Sequence, residues 1–112
     1  MMQAQILSGF EILWMIVLFD LPVVEPEERK AATEFRNGLL KLGFSMSQYS
    51  VYYKVVSGKD KAEGLEKHIS KIVPNEGRVD IVRITDKQYE NILSFEGKAG
   101  KARGKTKQLA LL

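Results

Sequence analysis

The acid that ends the run Leu13-Trp14-Met15-Ile16-Val17-Leu18-Phe19 is the residue best placed to do chemistry: seven apolar side chains, then Asp20, then Leu21-Pro22. A carboxylate at the exit of a buried strand stands where ligands commonly bind. The same acid, two residues before a proline, is equally able to begin a turn. Both readings stay open on these residues alone. Cysteine is absent, which excludes disulfides, thiolate metal sites and a cysteine nucleophile. The sole histidine, His68, leaves no material for a histidine-cluster metal site and reads as an ordinary helix-surface residue.

Positive charge is distributed unevenly. The 112 residues carry 17 Lys and Arg against 14 Asp and Glu. From Gly97 onward the chain has five basic residues (Lys98, Lys101, Arg103, Lys105, Lys107) and no acid, which leaves 12 basic against 14 acidic residues in the body. A mildly acidic body with a basic tail suits a protein that meets a polyanion at chosen places. Arg29, Lys30 and Arg36, together with Arg78 and Arg83, are the basic side chains of the body that would reach phosphates, a sequence-independent and salt-sensitive mode of contact.

The elements that must position these groups follow from periodicity. Leu13–Phe19 is too short for a membrane span and is dominated by strand-forming residues, so it predicts a strand buried on both faces. Pro26-Glu27-Glu28 opens a helix, since proline suits the first turn and acids its positive end. That helix is expected to reach Leu42, with Ala31, Ala32, Phe35, Leu39 and Leu42 as its buried stripe and Gly43 at its C-terminal cap. Phe44–Val56 predicts a bent strand or two short ones with a break near Gln48–Ser50. Ser57 and Asp60 resemble a capping box opening a second helix to Val73, with Leu65, Ile69 and Ile72 facing the core. Val79–Thr85 predicts a strand, Asp86–Glu90 a short helical turn, and Asn91–Phe95 a last edge strand.

This order is the split βαβ pattern of an α+β, ferredoxin-like βαββαβ sandwich with an additional C-terminal edge strand: a leader over residues 1–9, one domain over 10–96 and a basic flexible tail over 97–112. Two helices cover one face of the antiparallel sheet, and a second copy packing sheet to sheet is the simplest cover for the other. The residues before Glu11 carry no positive charge ahead of their apolar members, unlike a secretory signal, so a cytoplasmic protein without membrane association is expected.

Four blocks carry a resemblance to a known family. Phe10–Val23, with its apolar strand and terminal Asp20, resembles the opening of CRISPR-associated protein 2, particularly members from type II systems. Glu27-Glu28-Arg29-Lys30-Ala31 with Phe35-Arg36 and Leu39-Leu40 resembles the family's first helix. Gly43-Phe44 and Gln48-Tyr49-Ser50-Val51-Tyr52 resemble its second strand region. Gly77 and Ile84-Thr85-Asp86-Lys87-Gln88-Tyr89 resemble the end of its domain. The resemblance implies a homodimer that sits between copies of CRISPR-associated protein 1 and captures duplex DNA for insertion as new spacers. It also implies a magnesium-dependent endonuclease acting on single-stranded RNA or duplex DNA, with Asp20 as metal ligand and Asp20 and Ser50 as the catalytic positions. Magnesium suits carboxylate oxygens and keeps several waters, so two copies of Asp20 brought together by a twofold axis would supply one ion. Tyr49 stands where many relatives carry Lys or Arg, which removes a cation beside the scissile phosphate. A structural adaptor without catalysis and an RNA-binding ferredoxin-like module are the alternative readings.

Overall fold

The computed structural model describes residues 11–98, so the leader and most of the basic tail lie outside the described residues. Its elements are β1 (Ile12–Asp20), α1 (Pro26–Lys41), β2 (Ser45–Gln48), β3 (Val51–Ser57), α2 (Lys59–Ile72), β4 (Arg78–Thr85) and α3 (Asp86–Glu90). The four strands form one antiparallel sheet in the order β2-β3-β1-β4. This is the expected α+β, ferredoxin-like arrangement, with the apolar strand β1 at the centre. Among the described residues no helix is long and apolar enough to cross a membrane.

Strand alternation divides the sheet into two unlike faces. Leu13, Met15, Val17 and Phe19 of β1 point to the helices, where they meet Phe35 and Leu39 of α1, Tyr52 and Val56 of β3, and Ala62 and Ile69 of α2. Phe19 meets Phe35 edge-on, with ring centroids 5.1 Å apart at 84°. Trp14, Ile16 and Leu18 point the other way, beside Tyr53 and Val82 of the neighbouring strands. Val55 and Val82 on that second face are 43% and 40% exposed. On one side β1 is buried by α1 and α2; on the other it is shielded by its flanking strands and, at Trp14, by α3, whose Tyr89 ring stacks on the indole with centroids 3.6 Å apart and whose Asp86 Oδ1 accepts from Trp14 Nε1 at 2.9 Å.

Both ends of α1 follow from local chemistry. Pro26 occupies its first turn, and the Glu25 and Glu28 side chains cap each other's backbone N–H in a reciprocal box. At the other end Phe44 N–H donates to the Leu39 carbonyl and Gly43 N–H to the Leu40 carbonyl, each at 3.0 Å. Gly43 adopts φ +93°, so a glycine-closed Schellman turn ends the helix.

Three expectations need correction. Ser57 does not cap α2: it remains in β3, paired with Ile12, and Gly58 at φ +107° makes the turn instead, its N–H bound to the Glu11 carbonyl at 2.9 Å. Ile72 at the end of that helix lies largely outside the core, its Cδ1 over Gly38 of α1. Asn91–Phe95 forms no strand. Thr85 and Gln88 build a true capping box for α3, after which residues 91–97 run irregularly with Leu93 and Phe95 81% and 91% exposed. The outer edge of β4 is open, since among the described residues that strand pairs only with β1, but the chain leaves it through the capped turn of α3 and residues 91–95 do not pair with it.

One ion pair ties α2 to the sheet. Arg83 of β4 grips Glu66 with two hydrogen bonds, Nε–Oε2 at 2.6 Å and Nη2–Oε1 at 2.7 Å, and both side chains are less than a third exposed. The hydrogen bond from Arg83 holds the Glu66 carboxyl below its ordinary value, against a smaller opposing effect of burial. A carboxylate whose value is depressed by folding stabilises the fold above its unfolded value, and the gain is lost as pH falls through the folded one. Glu66→Gln is therefore expected to lower stability by about 1 kcal/mol near neutral pH. Urea unfolding of both proteins at a series of pH values checks this. The gap between the two midpoints should narrow below about pH 4.3, and a gap independent of pH would mean that the charge is not what stabilises.

Candidate active site

At the end of the central strand, the alternation that turns Met15, Val17 and Phe19 inward carries Asp20 to the open face. Asp20 pairs in register with Arg78 of β4, and Leu18 pairs with Asp80. From the other side the Tyr49–Ser50 turn between β2 and β3 reaches the same place: Phe19 N–H donates to the Ser50 carbonyl at 3.1 Å. A cavity of about 260 Å³ results, lined by Leu18, Phe19, Asp20, Ser50, Val51, Arg78 and Asp80. Two residues thirty positions apart in sequence thus share one pocket: Asp20, a candidate from its place at the end of an apolar run, and Ser50, a candidate from the family resemblance.

Asp80 was missed. It lies between Val79 and Ile81 in β4, and its role is visible only once the register sets it opposite Leu18. Its two carboxylate oxygens each lie 3.1 Å from the Arg78 Nε, so Asp80 holds the guanidinium beside Asp20.

The remaining basic candidates are placed differently. Arg29 closes the β1–α1 loop, its Nη1 donating to the Val24 carbonyl at 2.6 Å and the Val23 carbonyl at 3.3 Å. Lys30 is exposed on α1. Arg36 donates to Thr33 Oγ1 at 3.2 Å and lies 4.0 Å over the centre of the Tyr49 ring. Arg83 sits on the helix-covered face in its pair with Glu66, away from the Asp20 cavity. His68 is exposed on α2. Burial pushes the Tyr52 hydroxyl above its ordinary value, and the nearby Arg36 charge works in the opposite direction.

The donors in the cavity are all hard oxygens: two carboxylates, one of them held by Arg78, and a hydroxyl. That chemistry fits a magnesium-like cation that retains several waters. Among the described residues no three acids, histidines or cysteines cluster closely enough to hold a metal ion, so one chain offers Asp20 as its principal anionic ligand. A complete site would need a second Asp20.

The same stretch of chain carries the likeness to known proteins. A family model described as CRISPR associated protein Cas2 matches residues 13–92, from the first core side chain of β1 to just past α3. The chain is 46% identical over 93 residues to the CRISPR-associated endoribonuclease Cas2 of Paracidovorax avenae, covering 83% of this chain and 86% of that protein. It is 41% identical over 92 residues to the protein of the same name from Flavobacterium psychrophilum, covering 82% and 80%. It is 43% identical over 84 residues to that from Ligilactobacillus salivarius, covering 75% and 83%. Fold, order of motifs and sequence identity over most of both chains agree: the protein belongs to the CRISPR-associated protein Cas2 family.

Proposed function

We propose that the chain acts in CRISPR adaptation as a cytoplasmic homodimer that holds duplex DNA between copies of CRISPR-associated protein 1, and that its two Asp20 carboxylates form a magnesium-dependent endonuclease centre. The observation that carries the catalytic part is the convergence of Asp20 and Ser50 on one cavity at the exit of the central strand. The relatives' name, endoribonuclease, supports the same reading.

The dimer follows from the uncovered sheet face. Trp14, Ile16, Leu18, Tyr53, Val55 and Val82 would lose water contact against a second copy, and a dimer using this face would bring the strand ends, with Asp20, toward the interface. The two Asp20 carboxylates would hold a magnesium ion, which would supply Lewis acidity and lower the pKa of a bound water. The chain's own groups do the rest. The Ser50 hydroxyl donates to a phosphate oxygen, Arg78 places positive charge on the same group, and Asp80 fixes the direction in which Arg78 points. Arg29, Lys30 and Arg36 extend the contact along the backbone of the nucleic acid.

A scaffold without catalysis is favoured by one feature, the supply of a single unengaged carboxylate to the cavity by each chain. Purified protein assayed on single-stranded RNA and duplex DNA, with magnesium and with chelator, decides between the two. Magnesium-dependent cleavage supports the nuclease; intact substrate alongside tight duplex binding supports the scaffold. The dimer has its own test. Val82→Glu puts a charge in the middle of the open face and is expected to give a monomer by sedimentation and to weaken duplex binding at least about tenfold through loss of half the phosphate contacts. A wild-type monomer at assay concentration would overturn the proposal.

A further inference from the structure

A second and larger cavity, about 520 Å³, lies between the start of α1 and the loop that joins α2 to β4, and it shares no residue with the Asp20 cavity. Its apolar lining comes from three segments: Leu21 and Pro22 after β1, Ala31 and Ala32 of α1, and Val73 and Pro74 after α2. The small alanine side chains leave the space open. Four acids complete the wall, Glu25, Glu27, Glu28 and Glu76, and no basic side chain joins them. Glu25 and Glu28 cap α1 but accept only from neutral N–H groups, so they keep their charge. Glu27 and Glu76 are exposed and, among the described residues, in no ion pair. Arg29, close by in sequence, is turned to the Val23 and Val24 carbonyls. A groove with an apolar lining and net negative charge repels nucleic acid and suits a segment that is both cationic and apolar.

One segment of that chemistry belongs to the chain itself. Residues 99–112, outside the described residues, carry Lys101, Arg103, Lys105 and Lys107 and no acid, followed by Leu109, Leu111 and Leu112. Alternate residues of an extended segment fall on one side, so all four cations and two of the leucines, Leu109 and Leu111, would share an edge. Length allows the contact. β4 carries the chain eight residues away from the groove, or about 26 Å, and fourteen extended residues span about 46 Å. We infer that Lys101–Leu112 docks into this groove of its own chain, its leucines on the apolar lining and its cations against the four glutamates. Loss of exposed apolar surface holds the leucines in place. The charges fix the direction of the segment and weaken in salt. Cations held by glutamates are withheld from phosphates, so the segment is a clasp on the fold and not a free nucleic-acid arm.

The chain has no cysteine, so Gln108→Cys gives one site for a nitroxide between the cations and the leucines, on the opposite edge of the extended segment. Isotope-labelled full-length chain carrying the nitroxide is mixed with an excess of unlabelled wild type, so that no assembly holds two nitroxides. Amide signals are then compared with the nitroxide oxidised and reduced. Docking is expected to remove signal intensity at Ala31, Ala32 and Asn75 in the oxidised sample, and reduction should restore it. Glu27→Lys with Glu76→Lys should abolish most of that loss, and so should Leu109→Ser with Leu111→Ser. Neither pair touches the core or the Glu25–Glu28 cap of α1, and the remaining amide positions report that each variant is folded. Intensity lost only around residues 91–98 would mean that the segment does not dock. Loss at the groove that survives either pair of substitutions would mean that these contacts do not hold it. Both results overturn the inference. In the reverse mixture the isotope-labelled chain is wild type and the unlabelled chain carries the nitroxide. Groove signals lost in that mixture alone would assign the groove to a second copy's segment and overturn docking within one chain.

Discussion

Asp20→Asn should reduce magnesium-dependent cleavage by about 100-fold or more while the protein folds, dimerises and binds duplex DNA as before. The separation of effects comes from where the residue sits. Asp20 is exposed at the last position of β1, and its backbone, not its side chain, makes the sheet contacts with β4. Asparagine has nearly the same shape, and a surface change of this kind alters stability by roughly 0.5 kcal/mol or less. What changes is charge. In the proposed dimer both copies would be altered together, so a magnesium ion would lose two anionic ligands at once, and the remaining carboxylate of the cavity, Asp80, is already engaged by Arg78. Raising the magnesium concentration should recover part of the lost rate, because weakened binding is overcome by mass action. Removing the metal with a chelator should silence wild type and variant alike.

Two measurements on the same preparations make the outcome decisive. Labelled single-stranded RNA and duplex DNA report cleavage; a spacer-integration assay with CRISPR-associated protein 1 reports the adaptation role. Loss of cleavage with integration intact would separate the nuclease from the scaffold function. Loss of both, with the dimer and the complex still forming, would make the acid necessary for integration itself. Unchanged magnesium-dependent cleavage in Asp20→Asn would remove this residue from the reaction.

The sequence made one half of this site readable and concealed the other. Asp20 announced itself because an uninterrupted apolar run stops at a charge, and α1 because proline, two glutamates and Gly43 mark its ends with local chemistry. The break at Tyr49–Ser50 was readable for the same reason: polar residues interrupt a strand-like run. Asp80 was not readable, since its role depends on the register that sets Leu18 opposite it, and a single strand carries no record of its partner's register. Arg83 was indistinguishable from a phosphate-binding arginine until Glu66, seventeen residues earlier, was placed beneath it. Ser57 failed as a cap because its pairing with Ile12 holds it in the sheet. Asn91–Phe95 has the composition of a strand but does not pair with the open edge of β4, and whether a strand finds its hydrogen-bond partners is decided by tertiary structure.

Gly77→Ala is expected to be the most damaging single-methyl change in the fold. Gly77 leads into β4 at φ +100°, a backbone conformation that side chains with a Cβ rarely adopt. A Cβ there would lie 2.7 Å from Leu21 Cδ2, 2.8 Å from the Asp20 carbonyl oxygen and 3.1 Å from Leu21 Cα. The leucine terminus can swing aside, but the two backbone atoms belong to the end of β1 and can move only by shifting Asp20 itself. Strain and overlap together should cost about 3 kcal/mol, or roughly 12–24 °C in thermal midpoint for a domain of this size. Gly64→Ala is the control, since the same methyl group in the interior of α2 meets nothing within 4 Å. There the better helix propensity of alanine should raise stability by about 0.5–1 kcal/mol. Thermal unfolding followed by circular dichroism compares the two, and equal midpoints would show that the loop relaxes without touching β1. At a temperature where Gly77→Ala is still folded, its cleavage should fall further than its folded fraction does. The methyl group presses on the backbone that aims Asp20, and the next residue, Arg78, is Asp20's cross-strand partner. A glycine with no chemistry of its own would then control the geometry of the acid through one carbonyl oxygen.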